Sequence, residues 1–288
     1  MTRIAELLEK GKTYSFEFFP PKTDAEQARL VTALRELEPL GPSFVSVTYR
    51  GGAESRRRTV DLVTGMLRTT SLTPMAHLIC VAHTRLELAE ILVELAKGGV
   101  QNLMALGGDP PTDGSAGVGE LTHADELVEL ARAIGGFSIG VAAHPAVHPR
   151  SPSRQSDRDH LAAKLRRADF AVTQFFFEAD DYLGLLDDLS ARHVDRPVIP
   201  GIMPVTALSS LDRMAAMGAA VPGWMAERLS AMSSADDVRR VGIELATELC
   251  RAVLDAGAPG LHFYTLNRSS ATREIFENLG LSEAVAPG

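Results

Sequence analysis

Eight apolar runs rich in β-branched and aromatic residues, separated by longer stretches of helical period, predict an α/β fold: a (βα)8 TIM barrel, one catalytic domain over residues 1–288. The alternation is the mark of repeated βα units around a parallel sheet. A length of 288 residues suits one large barrel. Polar side chains also gather where the runs end, the face on which barrels build their sites. The competing open doubly wound sheet lacks its signature, because no Gly-x-Gly-x-x-Gly follows a strand-like run.

The first run, 13–19, is aromatic with one carboxylate in its middle. Strand alternation places Tyr14, Phe16 and Phe18 on one side and Ser15, Glu17 and Phe19 on the other. An unpaired carboxylate in so apolar a strand is costly to bury, so Glu17 faces either a polar cavity or substrate, or else water at a surface edge. A helix follows from Asp24 to Glu38, capped by Thr23 or Asp24. The second run, 43–49, leads through a basic turn to a helix ending near Met66.

The third strand is expected at 75–81, with a helix from Thr84 stopped by Gly98 and Gly99. The fourth, 100–106, enters the loop Gly107-Gly108-Asp109-Pro110-Pro111, and a flexible insert to Gly119 precedes a helix over Ala124 to Ile134. The fifth, 137–143, ends in His144-Pro145-Ala146-Val147-His148-Pro149 and is followed by a basic helix. The sixth spans 169–177 and the seventh 197–202, with helices filling most of 208–256. The eighth, 261–266, precedes Asn267-Arg268 and a last helix. Glu17, Thr48, Asp109, His144, Gln174 and Arg268 all fall at the carboxyl ends of these strands.

Composition narrows the function. A formal net charge of −8 argues against a nucleic-acid partner, although Arg56-Arg57-Arg58 and Arg166-Arg167 are each able to hold a phosphate if they are not simply solvated. Cys80 and Cys250 stand far apart without metal-ligand spacing, so neither a disulfide framework nor a metal site is expected and a reducing cytoplasm fits. No apolar run approaches the roughly 20 residues that span a bilayer, so no membrane partner is expected.

Taken together, Phe16-Glu17-Phe18-Phe19-Pro20-Pro21, Phe44-Val45-Ser46-Val47-Thr48-Tyr49, His77-Leu78, Gly108-Asp109, Thr173-Gln174-Phe175-Phe176-Phe177, Pro200-Gly201-Ile202-Met203-Pro204 and His262-Phe263-Tyr264-Thr265-Leu266-Asn267-Arg268 resemble the methylenetetrahydrofolate reductase family, in order across nearly the whole chain. The resemblance implies hydride reduction of 5,10-methylenetetrahydrofolate to 5-methyltetrahydrofolate. The substrate's five-membered ring must open to a 5-iminium cation, which requires a proton on N10, and the resemblance gives Glu17 that general-acid role. Desolvation beside Phe19 and a neighbouring carboxylate would both help it keep its proton. Asp109 matches the position that contacts the pterin and stabilises developing charge, against the plain reading of a turn aspartate. Gln174 carries the donor and acceptor needed to read a pterin edge. Tyr264, Leu266 and Arg268 match a segment that lines the pocket, although Arg268 also suits a surface loop.

The departures concentrate on the flavin. Gly107 stands where flavin-containing members have Arg, His144 where they have Tyr, Ala163 where an Arg aligns and His160 where Asn is expected, while Lys164 remains. Lost guanidiniums remove bidentate pyrophosphate partners, for which Arg166 and Arg167 are the candidate replacements. On the folate side Ser210 and Met214 replace a Gln and a Phe. The chain therefore resembles the flavin-independent branch, which implies NADH as direct hydride donor, with NADPH open, and no FAD. Thr48, His77, His144 and His148 are the expected cofactor-binding residues, and Glu54 is a candidate second carboxylate. An FAD-containing reductase with altered anchors and a folate-binding homologue without catalysis are the alternatives.

Overall fold

A computed structural model describes residues 2–49, 53–81, 83–108 and 119–281. Eight parallel strands close into a barrel in sequence order: β1 (Thr13–Phe18), β2 (Phe44–Val47), β3 (Pro74–Ile79), β4 (Asn102–Leu106), β5 (Ser138–Ala143), β6 (Phe170–Phe175), β7 (Val198–Ile202) and β8 (Gly260–Tyr264). Closure is made by β1 against β8, with Glu17 beside Tyr264 in register and beside Ser46 on the other flank. The expected TIM barrel is the observed one.

Helices alternate with the strands. Outside β1, Phe16 meets Phe263 and Phe276, the latter in the last helix α11 (Ser270–Asn278), with centroids 6.2 and 5.4 Å away. Such tilted aromatic contacts add to the area they bury. The helix after β1, α2 (Asp24–Leu37), is capped by Thr23, whose hydroxyl accepts from the Glu26 N–H. The helix after β3, α4 (Arg85–Lys97), opens on a Thr84–Glu87 capping box and stops at Gly98, followed by Gly99 at φ 87°.

Strand alternation sorts the barrel interior into layers. The lower layer is apolar, built from Phe44, Met75, Met104, Phe170, Val172 and Ile199. Its floor is a helix that the sequence reading passed over, α1 (Ile4–Lys10), which plugs the amino-terminal end of the barrel. Ile4 is fully buried, and its N–H donates to Asn102 Oδ1 at 2.8 Å while the Ala5 N–H donates to Ser138 Oγ at 3.0 Å. Above the apolar layer the inward positions turn polar, with Glu17, Ser46, His77 and His262 buried together.

The basic turn expected after β2 is instead the start of α3 (Ala53–Thr69). Arg56, Arg57 and Arg58 pair with Glu94, Asp61 and Glu54, so their charges are already met by carboxylates. Among the described residues no helix is long and apolar enough to cross a membrane, and no cluster of His, Cys, Asp and Glu has the makings of a metal site.

Candidate active site

Glu17 points into the barrel near its carboxyl-terminal mouth and is 7% exposed. Two imidazoles flank it. His77 Nε2 lies 3.6 Å from Glu17 Oε2 and His262 Nε2 lies 3.8 Å from the same oxygen. His262 is fixed at its far side by Ser15, with Oγ 2.8 Å from Nδ1, and Ser46 Oγ stands 3.4 Å from Nε2. Burial pushes the His77 imidazole below its ordinary value, and Glu17 opposes that shift. Two buried side-chain atoms of this region, Thr48 Oγ1 and His77 Nε2, have no hydrogen-bond partner among the described residues. Unmet buried polar atoms are costly in a finished core and expected where a ligand completes the site.

β8 supplies the opposite wall. The Tyr264 hydroxyl donates to the Thr173 carbonyl at 2.6 Å, and desolvation followed by the Glu17 charge holds the phenol far above its usual range. The neighbouring strand has Gly201 at the crossing, where a Cβ would stand 2.2 Å from Thr173 O and 2.6 Å from the Tyr264 ring. Past β8 the chain turns through Leu266 and Asn267, both left-handed at φ 52° and 56°. Leu266 is exposed at 48%, an apolar side chain presented to the mouth's surroundings rather than to the core. Arg268 is exposed and borders a surface cavity with Ala28, Arg29 and Thr32 of α2.

Gln174, inward on β6 by alternation, is occupied at both ends. Its Oε1 accepts from the Phe175 N–H at 3.1 Å, and its Nε2 donates to the Met217 carbonyl at 3.3 Å. Met217 follows α8 (Ser209–Ala216) and is itself exposed, whereas Met214 is buried in an apolar cluster with Phe175, Met203 and Met225. Ser210 Oγ donates to Ala207 O at 2.5 Å. Asp109 lies outside the described residues. Glu54 sits in the first turn of α3, exposed and paired with Arg58, apart from the buried group around Glu17.

The β5 end forms a second cluster. His144 and His148 meet edge to face at 4.5 Å. Burial, reinforced by His148, Lys164 and Arg158 and opposed by Asp157, pushes His144 down to about 4. Their loop is held by Arg158 of α6 (Arg154–Arg167), whose fully buried guanidinium donates to the carbonyls of His144, Pro145 and Ala146 at 2.9, 2.6 and 2.8 Å. Asp157 and Asp188 balance its charge. Lys164 Nζ donates to the Ala142 carbonyl at 2.7 Å, and burial pushes it down to about 8. Arg166 donates to the Arg192 carbonyl, and Arg167 pairs with Asp125 and Glu129 of the preceding helix α5 (Ala124–Ile134). Both side chains are thus engaged by other groups of this chain.

This chain matches the family model described as methylenetetrahydrofolate reductase over residues 1–280. The chain belongs to the methylenetetrahydrofolate reductase family. Among proteins of that name, it is 36% identical over 275 residues to the 5,10-methylenetetrahydrofolate reductase of Pectobacterium carotovorum, covering 94% of this chain and 91% of the relative. The Escherichia coli 5,10-methylenetetrahydrofolate reductase is 35% identical over 271 residues, covering 93% and 90%. A methylenetetrahydrofolate reductase (NADH) 1 of Arabidopsis thaliana is 33% identical over 297 residues, 97% of this chain and 50% of that protein. At 12% identity, an uncharacterized Clostridium thermocellum protein whose structure holds two copies of 5-methyl-5,6,7,8-tetrahydrofolic acid shares the fold, with a TM-score of 0.71 and 98% of each chain covered.

Two features of this site were not readable from the reductase motifs. Ser15 already falls on the side of Glu17 by alternation and Ser46 lies within a motif, but neither has an assigned role in the sequence, and only the structure sets both against His262. The buried Arg158 lies in a run of charged residues that reads as a solvated helix face, and the carbonyls of the β5 loop together with Asp157 and Asp188 explain its position.

Proposed function

We propose that this chain reduces 5,10-methylenetetrahydrofolate to 5-methyltetrahydrofolate by direct hydride transfer from NADH, with Glu17 as the general acid. The observation that carries the reading is the carboxylate of Glu17, buried inside the mouth of the barrel between two imidazoles rather than in water. A proton passing from Glu17 to N10 opens the imidazolidine ring, the nitrogen lone pair at N5 forms the iminium, and hydride then adds to the methylene carbon. Gln174, once released from Met217, offers an amide to the pterin edge, and Tyr264 closes the wall beside it. Stabilisation of the cation is assigned to Asp109, which follows β4 in the sequence and lies outside the described residues.

The absence of flavin from the proposed reaction is supported by the fate of the α6 cations. An FAD pyrophosphate needs charge-matched donors, and here Lys164 is turned onto Ala142 O, Arg166 and Arg167 are held by outer partners, and Ala163 and Gly107 carry no charge. These residues do not fit a flavin diphosphate. In the proposed complex the nicotinamide uses the mouth near Thr48 and His77, with His144 and His148 toward the rest of the dinucleotide.

The test is an anaerobic assay of protein stripped of flavin, with methylenetetrahydrofolate and NADH. Stoichiometric NADH oxidation and 5-methyltetrahydrofolate formation are expected. Activity that returns only with added FAD overturns the direct transfer, and tight folate binding without NADH consumption overturns the enzyme.

A further inference from the structure

The loop after β5 is gripped by two successive residues of α6. Arg158 takes its first half. The guanidinium is fully buried and has five N–H groups to place. Nη1 donates to the His144 carbonyl and to Asp157 Oδ2, Nη2 to the carbonyls of Pro145 and Ala146, and Nε to Asp188 Oδ2. Asp157 takes the second half, its Oδ1 accepting from the His148 N–H at 3.4 Å and from the Ser151 hydroxyl at 3.1 Å. The Arg150 N–H then closes back onto His148 Nδ1 at 3.1 Å. The segment carrying His144 and His148 is therefore held along its whole length by one turn of helix.

A buried arginine near a nucleotide site invites the reading of a phosphate ligand, and the bonding here excludes it. All five N–H groups of Arg158 are engaged within the chain, so none is left for an anion. Its charge is met as well: Asp157 and Asp188 face Arg158 and Arg154, two carboxylates against two guanidiniums. A helix that only covered the barrel would be served as well by an apolar side chain at this position. What the planar fork supplies instead is geometry, fixing three successive carbonyls at once. Each histidine precedes a proline, which already restricts its backbone. The freedom that remains lies at Ala146 and Val147, between the two clamped halves. We propose that Arg158, with Asp157, is a positioning residue that keeps the His144–His148 segment preformed for the dinucleotide. The inference rests on the proposed cofactor role of that segment and names what holds it ready.

A loop that holds its binding form only about a tenth of the time weakens the apparent affinity about tenfold. Arg158→Lys creates that state with the buried charge kept beside Asp157 and Asp188, because the three donors of an ammonium cannot serve three carbonyls and two carboxylates. The Kd for NADH, read from its fluorescence, and the KM for NADH should both rise about tenfold in this variant. Its kcat at saturating NADH and its affinity for 5-methyltetrahydrofolate should stay within about twofold of wild type, the pattern of lost uniform binding. A second measurement uses the wild-type protein alone. The backbone N–H groups of His148 and Ser151, bonded to Asp157 Oδ1 and to the His148 carbonyl, should be protected from hydrogen exchange before NADH is added and change little afterwards.

Wild-type affinity for NADH in Arg158→Lys overturns the positioning role and leaves the cofactor reading in place. Affinities for NADH and 5-methyltetrahydrofolate that fall together overturn it too, since the arginine then supports the fold at large. Loop amides of the wild-type protein that become protected only on addition of NADH overturn it without any variant having to fold. Failure of the wild-type protein to bind NADH, by contrast, removes the cofactor reading itself and with it the dinucleotide as the ligand of this loop.

Discussion

Asn267 holds the backbone of Phe19 at both of its polar groups: Oδ1 accepts from the Phe19 N–H at 2.8 Å, and Nδ2 donates to the Phe19 carbonyl at 2.9 Å. The clamp ties the turn after β8 to the chain leaving β1, two residues beyond Glu17. Thr265 reinforces it, with Oγ1 donating to the Glu17 carbonyl at 2.5 Å. The carboxylate is thus placed by strand pairing below and by this clamp above.

Replacing Asn267 by Ala removes both hydrogen bonds and puts a Cβ with no local polar partner at φ 56°. The two bonds contribute about 2 kcal/mol net and the left-handed backbone adds about 1 kcal/mol for Ala. Denaturant unfolding should show a loss of about 3 kcal/mol for Asn267→Ala. Asn267→Gly, which accepts the backbone angle, should lose only the hydrogen-bond share. Equal losses for the two variants would show that the backbone angle contributes nothing.

Gly201 makes a sharper steric prediction. Its missing Cβ leaves room for the Thr173 carbonyl, which also accepts from the Tyr264 hydroxyl. Because the obstructing atom is backbone, Gly201→Ala cannot be relieved by a rotamer change and should cost about 3 kcal/mol or more, at the upper end for overpacking. Tyr264→Phe in the Gly201 background should cost about 1 kcal/mol, since only a hydrogen bond is lost. Thermal melts of the two variants check the order, and a Gly201→Ala melt matching wild type would show that β6 and β7 can separate there.

The barrel was legible because its strands are apolar runs buried on both faces and several of the covering helices carry readable ends. Thr23 capped α2 as expected, and Gly98 ended α4. The inward placement of Glu17 followed from alternation once the barrel was closed, but its choice over the edge-strand reading needed the pairing of β1 with β8. α1 is hard to read because it is only seven residues long with Ile4 alone buried, and what holds it is a tertiary contact to Asn102 and Ser138. The arginine run at 56–58 reads alike as a turn or as a helix face, since the partners Glu94 and Asp61 that decide it are set by helix geometry. Lys164 shows the limit most plainly: its type survives from the family pattern, while its hydrogen bond to Ala142 O is a matter of where α6 packs.

His144 gives stability a definite pH dependence. With its folded-state value down at about 4, against 6.5 for a free imidazole, the unfolded chain binds the extra proton between those limits. Stability contributed by the neutral ring is therefore complete above pH 6.5 and lost as the pH falls toward 4, by about 3 kcal/mol in all. His144→Phe keeps a ring against His148 and cannot titrate, so its stability should change less steeply across that window. Parallel wild-type and variant curves from denaturant titrations at several pH values would assign the acid sensitivity elsewhere.

Glu17→Gln separates chemistry from folding because the amide suits the structure that surrounds it. Gln keeps the size of Glu, and its amide carries both a donor and an acceptor to present to His77 Nε2, the buried nitrogen that has no partner among the described residues. The substitution should leave the melting temperature close to that of wild type, since the amide fills the same buried space and stays polar. Folate affinity should stay within a few fold, because polarity and shape at the mouth are kept. Turnover should fall by about a hundredfold or more, the usual contribution of a positioned general acid, because an amide has no proton to give to N10. A variant that melts lower and binds folate poorly would make Glu17 a structural residue. One that keeps both properties and loses only the rate places its proton in the reaction.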